Sequence, residues 1–236
     1  MNILMLSQFY PPIMGGIERH VQSLSQALAK NGHQVSVATL WHKGLPEFEV
    51  QEGVNIYRIC GTMQRMTGLF TTERQHAPPF PDPEVTLARR QWVAAIHPQI
   101  VHGHDWMVRS FLPIKTWSRA KLVRTLHDCE LTCVQMRFMF KDAELCSGPS
   151  ARKCLMCAVH HYGIVKGGII LFSNRAMEMA ERKSVDVYLP VSQAVAQANR
   201  LDSSQPQIRV VPNFILDQAA TVNDPADPIL DRLPSQ

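Results

Sequence analysis

Short apolar runs rich in Val, Ile and Leu alternate, over most of this 236-residue chain, with segments whose apolar positions recur at helical spacing. That alternation limits the fold more than any other feature. The runs NILMLS (2–7), QVSVATLW (34–41), VNIYRI (54–59), QIVHGH (99–104), KLVRTLH (121–127), SVDVYLPVS (184–192) and QIRVVPN (207–213) read as strands. Between them, Ile17, Val21, Leu24 and Leu28 recur at helical spacing, and Gly32 supplies a stop. Pro83 and Glu84 open a helix over 83–96. Further helices are expected over 105–118, bent at Pro113, and over 164–183 and 193–200. Strands this apolar need cover on both faces, and strand–helix alternation makes neighbouring strands parallel. The expectation is an α/β fold over 1–213: a doubly wound, mostly parallel, Rossmann-like sheet. Residues 214–236, rich in Asp and Pro and without periodicity, read as a linker or tail.

Charge and leader signals exclude several classes. A net charge of +4, with no long Lys/Arg block, gives no footprint for nucleic acid. The opening NILMLS lacks a basic start and is short for a signal-peptide core, and no apolar window is long enough to span a membrane. A cytoplasmic setting with reduced thiols is therefore expected.

In a doubly wound sheet, ligands sit beyond the carboxyl ends of the strands. The motifs there carry the functional argument. FYPPIMGGIERHV (9–21) puts Gly15 and Gly16 where the first strand hands over to the first helix. Free helix N–H groups attract anions, and glycine admits a ligand close to the backbone; a tight turn alone would also account for the pair. Glu18 and Arg19 fall in the first helical turn, suited to ligand contacts or to a solvated face. No G-x-G-x-x-G follows the first strand, so neither NAD nor FAD is expected. His102 and His104 share one strand face, with Asp105 next; His102 suits a buried, hydrogen-bonded role and His104 a ligand contact. His127 and Asp128 end the following strand. A neutral His there can donate or accept a hydrogen bond to a bound ligand. Asp128 is expected to orient it, accept a proton, or cap the next turn. Ser192 suits a helix cap, and Arg209 and Asn213 suit a domain junction.

Five of the six cysteines fall within 129–157. Cys133, Cys146, Cys154 and Cys157 have the spacing C-x12-C-x7-C-x2-C. Four thiolates including a C-x2-C pair suit a closed, tetrahedral structural zinc site with no catalytic position. An iron–sulfur cluster, free buried thiols or a disulfide-stapled loop are the alternatives. Cys129 stands in reserve for one of the four, and His160 and His161 are spare ligands. The segment follows His127–Asp128 directly, so it is expected to hang over the same edge of the sheet.

Several of these segments, taken in order, resemble the N-terminal domain of family 4 glycosyltransferases: NILMLSQFYPPIMGGIERHVQSLSQALAKNGHQVSVAT, PQIVHGHD, LVRTLHD, VDVYLPVS and VVPNFILD. The likeness runs over about 1–217, and a subset of the resembling enzymes carries a comparable Cys-rich insertion. Phe214 departs from it, since the family usually has Gly there. The resemblance implies one half of a two-domain GT-B architecture. The full enzyme would move a sugar, with retention, from a nucleotide-sugar donor to a glycan or lipid-linked acceptor, in surface polysaccharide or glycoconjugate synthesis. This domain would hold the acceptor and line the diphosphate through Gly15, Gly16, Glu18, Arg19, His104, Asp105 and Asn213, with His127 and Asp128 at the reacting sugar. The donor-binding C-terminal domain would have to be supplied in cis or trans, and this chain alone is expected to be inactive. Such enzymes often rest on the inner membrane face. The stretch 58–74, which mixes Arg with Met, Leu and Phe, suits either that contact or a loop with buried apolar side chains. The competing expectations are a non-catalytic half-protein that binds acceptor or partner, and a metal-binding regulatory module on a Rossmann scaffold.

Overall fold

The computed structural model describes residues 1–65, 76–202 and 204–214. Much of the candidate membrane stretch 58–74, and nearly all of the tail 214–236, lie outside these residues. Among the described residues no helix is long and apolar enough to cross a membrane.

The chain forms β1 (Asn2–Leu6), α1 (Gly16–Lys30), β2 (Gln34–Leu40), β3 (Phe48–Gln51), β4 (Val54–Ile59), the short α2 (Thr62–Arg65), α3 (Pro83–Ile96) and β5 (Ile100–Gly103). It continues through α4 (Lys115–Ser118), β6 (Lys121–Leu126), the two-residue strands β7 (Met139–Phe140) and β8 (Glu144–Leu145), α5 (Ala151–Tyr162), α6 (Ile164–Ser184), β9 (Val187–Pro190) and α7 (Gln193–Ala198). Seven strands make one sheet in the order β3-β4-β2-β1-β5-β6-β9. All pairs are parallel except the β3–β4 hairpin. The chain winds outward from β1 through β2 to β4, then returns to β5 on the other side. The order therefore reverses beside β1, and the β1–β5 boundary is the switch point where such sheets bind ligands.

β1 shows why the sheet is covered twice. Its side chains alternate between faces. Ile3 and Met5 pack with Val35, Val37 and Ile56 under α1, through Val21 and the flanking Leu24 and Leu28. Leu4 and Leu6 pack on the opposite face with Val101, Leu122, Val93 of α3, and Val108 and Phe111. Both layers are buried, which fits the unbroken apolar reading of the strand.

Three elements differ from the sequence expectations. The helix expected over 105–118 is two 3₁₀ turns, Trp106–Ser110 and Leu112–Ile114, followed by α4. Asp105 caps the first turn, and Pro113 lacks the N–H that a continuous α-helix would need. The run 207–213 makes one parallel bridge, Tyr188 with Ile208, in place of a full strand. The Cys-rich segment, read as a loop, carries the β7–β8 hairpin and the start of α5, whose cap is Ser150 accepting from Lys153 N.

Candidate active site at the carboxyl edge of the sheet

β1, β5 and β6 run side by side, with Leu6 opposite Gly103 and Gly103 opposite Arg124. The residues that follow each strand therefore emerge together. Asp105 joins two of these ends. Its Oδ2 accepts from Gln8 N at 2.6 Å and from Ser7 Oγ at 3.4 Å, while Oδ1 accepts from Met107 N at 2.8 Å. The carboxylate is buried and engaged with the fold on both oxygens. Asp105, expected to touch substrate, thus serves as a tie between β1 and β5.

Three imidazoles meet above that tie. His104 Nδ1 and His127 Nε2 stand 3.2 Å apart, and their rings stack at 5.5 Å between centroids. His20 comes in from α1, one turn past Gly16, with its ring 5.1 Å from His127 and 5.7 Å from His104. His102 lies behind them, buried, with Nε2 at 2.8 Å from Thr125 Oγ1. Burial holds all four rings toward the neutral form, aided at His102, His104 and His127 by the neighbouring basic groups: His102 and His127 fall to about 3, and His104 lies well below its ordinary value. Between two neutral rings, one of His104 and His127 donates and the other accepts. Asn213 approaches His127 and partly offsets the fall. Phe214 packs edge-on against His20 at 5.3 Å.

The first turn of α1 opens onto the same edge. Gly15 is its extended N-cap and supplies no side-chain cap. The carboxylate of Glu18 folds back over Gly15, so that a Cβ there would collide with Glu18 Oε2. Glu18 is therefore buried at its own helix start, whereas Arg19 is exposed. The α-carbon of Gly16 faces open space. The solvated face expected for the pair holds for Arg19 alone. The helix N-terminus already has one anion beside it, in the position the helix dipole favours.

Asp128 caps the turn after β6, its Oδ1 accepting from Glu130 N at 2.8 Å, and burial lifts its carboxyl to about 6. Ser192 caps α7 through Val195 N. Beneath the imidazoles, Arg124 of β6 is fully buried between Glu130 and Glu181 of α6; Glu181 also meets Arg109, with contacts of 2.8 Å to Arg124 Nε and 3.3 Å to Arg109 Nε.

Cys133, Cys146, Cys154 and Cys157 all line one cavity, with Phe138, Met139 and Leu171 in its wall. All six cysteines are free thiols. The Cys133 sulfur accepts from the backbone at Gln135, Met136 and Phe138, Cys157 Sγ from Lys141 N at 3.5 Å, and Cys154 Sγ from Arg175 at 3.7 Å. Cys146 Sγ and Cys157 Sγ in turn donate to the carbonyls of Gly148 and Met139, as thiols do, and among the described residues the four sulfurs are not gathered to ligating separation. Cys129 stands apart from the cavity lining, its thiol pushed up to about 12 by burial. His160 and His161 turn to Asp142 at 4.0 and 3.5 Å. Among the described residues, the trio His20, His104 and His127 is the group of metal-ligating side chains that closes to within 4.8 Å.

Sequence reasoning missed His20. It lies inside FYPPIMGGIERHV, one turn past Gly16, but nothing in that stretch marks it off from Glu18 and Arg19, and only the parallel order of β1, β5 and β6 brings it to His127. The arrangement offers neutral hydrogen-bonding rings and an open glycine backbone at one sheet edge, suited to holding a polyhydroxyl ligand with an anionic group.

The family model described as Glycosyltransferase Family 4 matches residues 14–217. An uncharacterised glycosyltransferase of Methanocaldococcus jannaschii is 29% identical over 137 residues, which is 56% of this chain and 32% of that one. The glycogen synthase of Mycobacterium tuberculosis is 31% identical over 143 residues, 55% of this chain and 34% of that one. The chain thus spans about a third of the length of these relatives. Among solved structures, the sucrose-phosphate synthase of Thermosynechococcus elongatus superposes with a TM-score of 0.59 at 15% identity, covering 89% of this chain and 47% of that one. That likeness is one of fold.

Proposed function

Because the chain belongs to glycosyltransferase family 4, we propose that it is the acceptor-side half of a retaining transferase that moves a sugar from a nucleotide-sugar donor to a glycan or glycolipid acceptor. The observation that carries this reading is the convergence of His104, His127 and the opening turn of α1 at the switch point of the sheet. His127 is the first catalytic candidate. Its ring is neutral, so it can donate or accept a hydrogen bond to a sugar hydroxyl without a change of charge at the reacting carbon. His104 fixes that ring from behind and so sets which nitrogen carries the proton. The open backbone at Gly16 admits the acceptor or the phosphate closely, while the Glu18 carboxylate covers Gly15, and Asn213 borders the site from the chain leaving the sheet. Asp128 positions the turn that carries His127; its raised carboxyl is suited to taking a proton from an acceptor hydroxyl near neutral pH.

The nucleotide would be bound by a second domain, supplied in cis or trans, working at the inner membrane face or in the cytoplasm. The four-thiol cavity would hold a structural zinc that shapes the acceptor side. The test is a screen of nucleotide sugars against the protein carrying its second domain. Transfer from one donor to a glycan or lipid-linked acceptor, lost in His127→Ala, supports the reading. Acceptor binding without transfer from any donor favours a non-catalytic binding half instead.

A further inference from the structure

We propose that His20, His104 and His127 form a binding site for a divalent transition ion of the zinc type, which on binding holds His127 Nε2 and leaves its Nδ1 a donor only. The three rings come from three separate elements: α1, the end of β5 and the end of β6. Their ligating nitrogens all lie within 4.8 Å of one another. In tetrahedral zinc sites with Zn–N of about 2.05 Å, adjacent nitrogens stand about 3.3 Å apart. His104 Nδ1 and His127 Nε2 are already 3.2 Å apart. Two of the three residues are buried and the third half-buried, so little rearrangement and little loss of side-chain freedom accompany binding.

The proton balance also closes. In the metal-free pair, one ring donates its N–H to the other across the 3.2 Å contact. For both facing nitrogens to ligate, that proton must move to the far nitrogen of the donating ring. If His104 donates, the far nitrogen is Nε2, which is buried and has no hydrogen-bond partner among the described residues. His127 Nδ1, the far nitrogen if His127 donates, and His20 Nδ1 are in the same condition. Orphaned buried polar atoms are costly unless something completes them, and His20, beside the His104–His127 pair, carries such a nitrogen. No proton is released and no charged ring is made. Three imidazoles leave the fourth position for water or a hydroxyl, and Phe214, packed on His20, stands at the site's exposed margin. By denying His127 the acceptor role, the metal would be a reversible inhibitor of the proposed transfer, a clause that rests on that functional reading.

The test is a Co²⁺ titration of this chain, followed by visible absorption, alongside His20→Leu, His20→Ala and Cys154→Ser, each checked for fold by circular dichroism. Imidazole-only Co²⁺ gives ligand-field bands without sulfur-to-metal charge transfer, which separates it from the thiol cavity. The expected result is one such Co²⁺ per chain, weakened at least tenfold in the folded His20 variants and retained in Cys154→Ser. Absorption of the thiolate type alone, or unchanged imidazole-type binding in both folded His20 variants, overturns the proposal. Zn²⁺ should then inhibit transfer by the two-domain protein. A two-domain protein with no transfer at all would count against the functional reading and leave the titration result standing.

Discussion

At the scale of single residues, the site rests on groups whose work is internal. Asp105 was legible as a polar residue at a strand end, but its role was not. The sequence shows a carboxylate beside two histidines; only the register of β1 against β5 reveals that Gln8 N, Met107 N and Ser7 Oγ claim it. Its replacement by Ala leaves two backbone N–H groups without their acceptor, and each buried unsatisfied group costs about 1–3 kcal/mol. Asp105→Ala is therefore expected to lower the urea midpoint strongly, whereas Arg19→Ala, on an exposed face, should leave it nearly unchanged. Equal effects from the two would contradict the account. His127 and His104 were readable from their strand-end positions. His20 was not, since nothing local distinguishes it from any polar residue on an amphipathic helix.

At the scale of elements, the strands and long helices were legible because hydrophobic period and Pro/Gly punctuation act locally: 83–96 was read from Pro83 and Glu84 and is α3. The fold missed where tertiary partners decide. β3 is a short polar-edged hairpin strand, and α5 hides among cysteines whose spacing drew the attention. Two buried arginines hang on one side chain of α6. Glu181 is held below its ordinary value of 4.5, against the opposing effect of burial, by Arg124 and Arg109. A depressed folded-state pKa gives stability that is full above the ordinary carboxyl range and is lost as pH falls through the depressed value. The native chain should thus lose stability below about pH 4.5. Glu181→Gln, which leaves buried Arg109 without its carboxylate and buried Arg124 with Glu130 alone, should cost about 3–5 kcal/mol at neutral pH and flatten the acid limb of the melting curve. An unchanged acid limb would remove Glu181 from that role. The α5–α6 hairpin has an equally specific dependence. A Cβ on Gly167 would stand 2.5 Å from Ala158 O, so Gly167→Ala must push the helices apart. Gly168, whose α-carbon faces open space, should accept Ala with little loss of melting temperature. The thiol cavity joins the same hairpin, so a chelator that strips a bound metal should lower the melting temperature of the native chain and not of Cys154→Ser.

For the whole molecule, one topological fact does most to organise function: the strand order reverses beside β1, and every candidate ligand-handling group emerges at that edge. The alternation of strand and helix made the doubly wound sheet readable, and the strand-end motifs made its active edge readable. The assembly of three histidines there depends on strand order, which no local pattern encodes. The most direct measurement of the central claim is kcat/KM for sugar transfer by the two-domain protein and its His127→Ala variant. The account predicts a fall of at least about a hundredfold, the lower range for loss of a positioned proton-handling group, in a variant that still folds. A folded His127→Ala protein with native kcat/KM would show that the sugar reacts somewhere other than this edge.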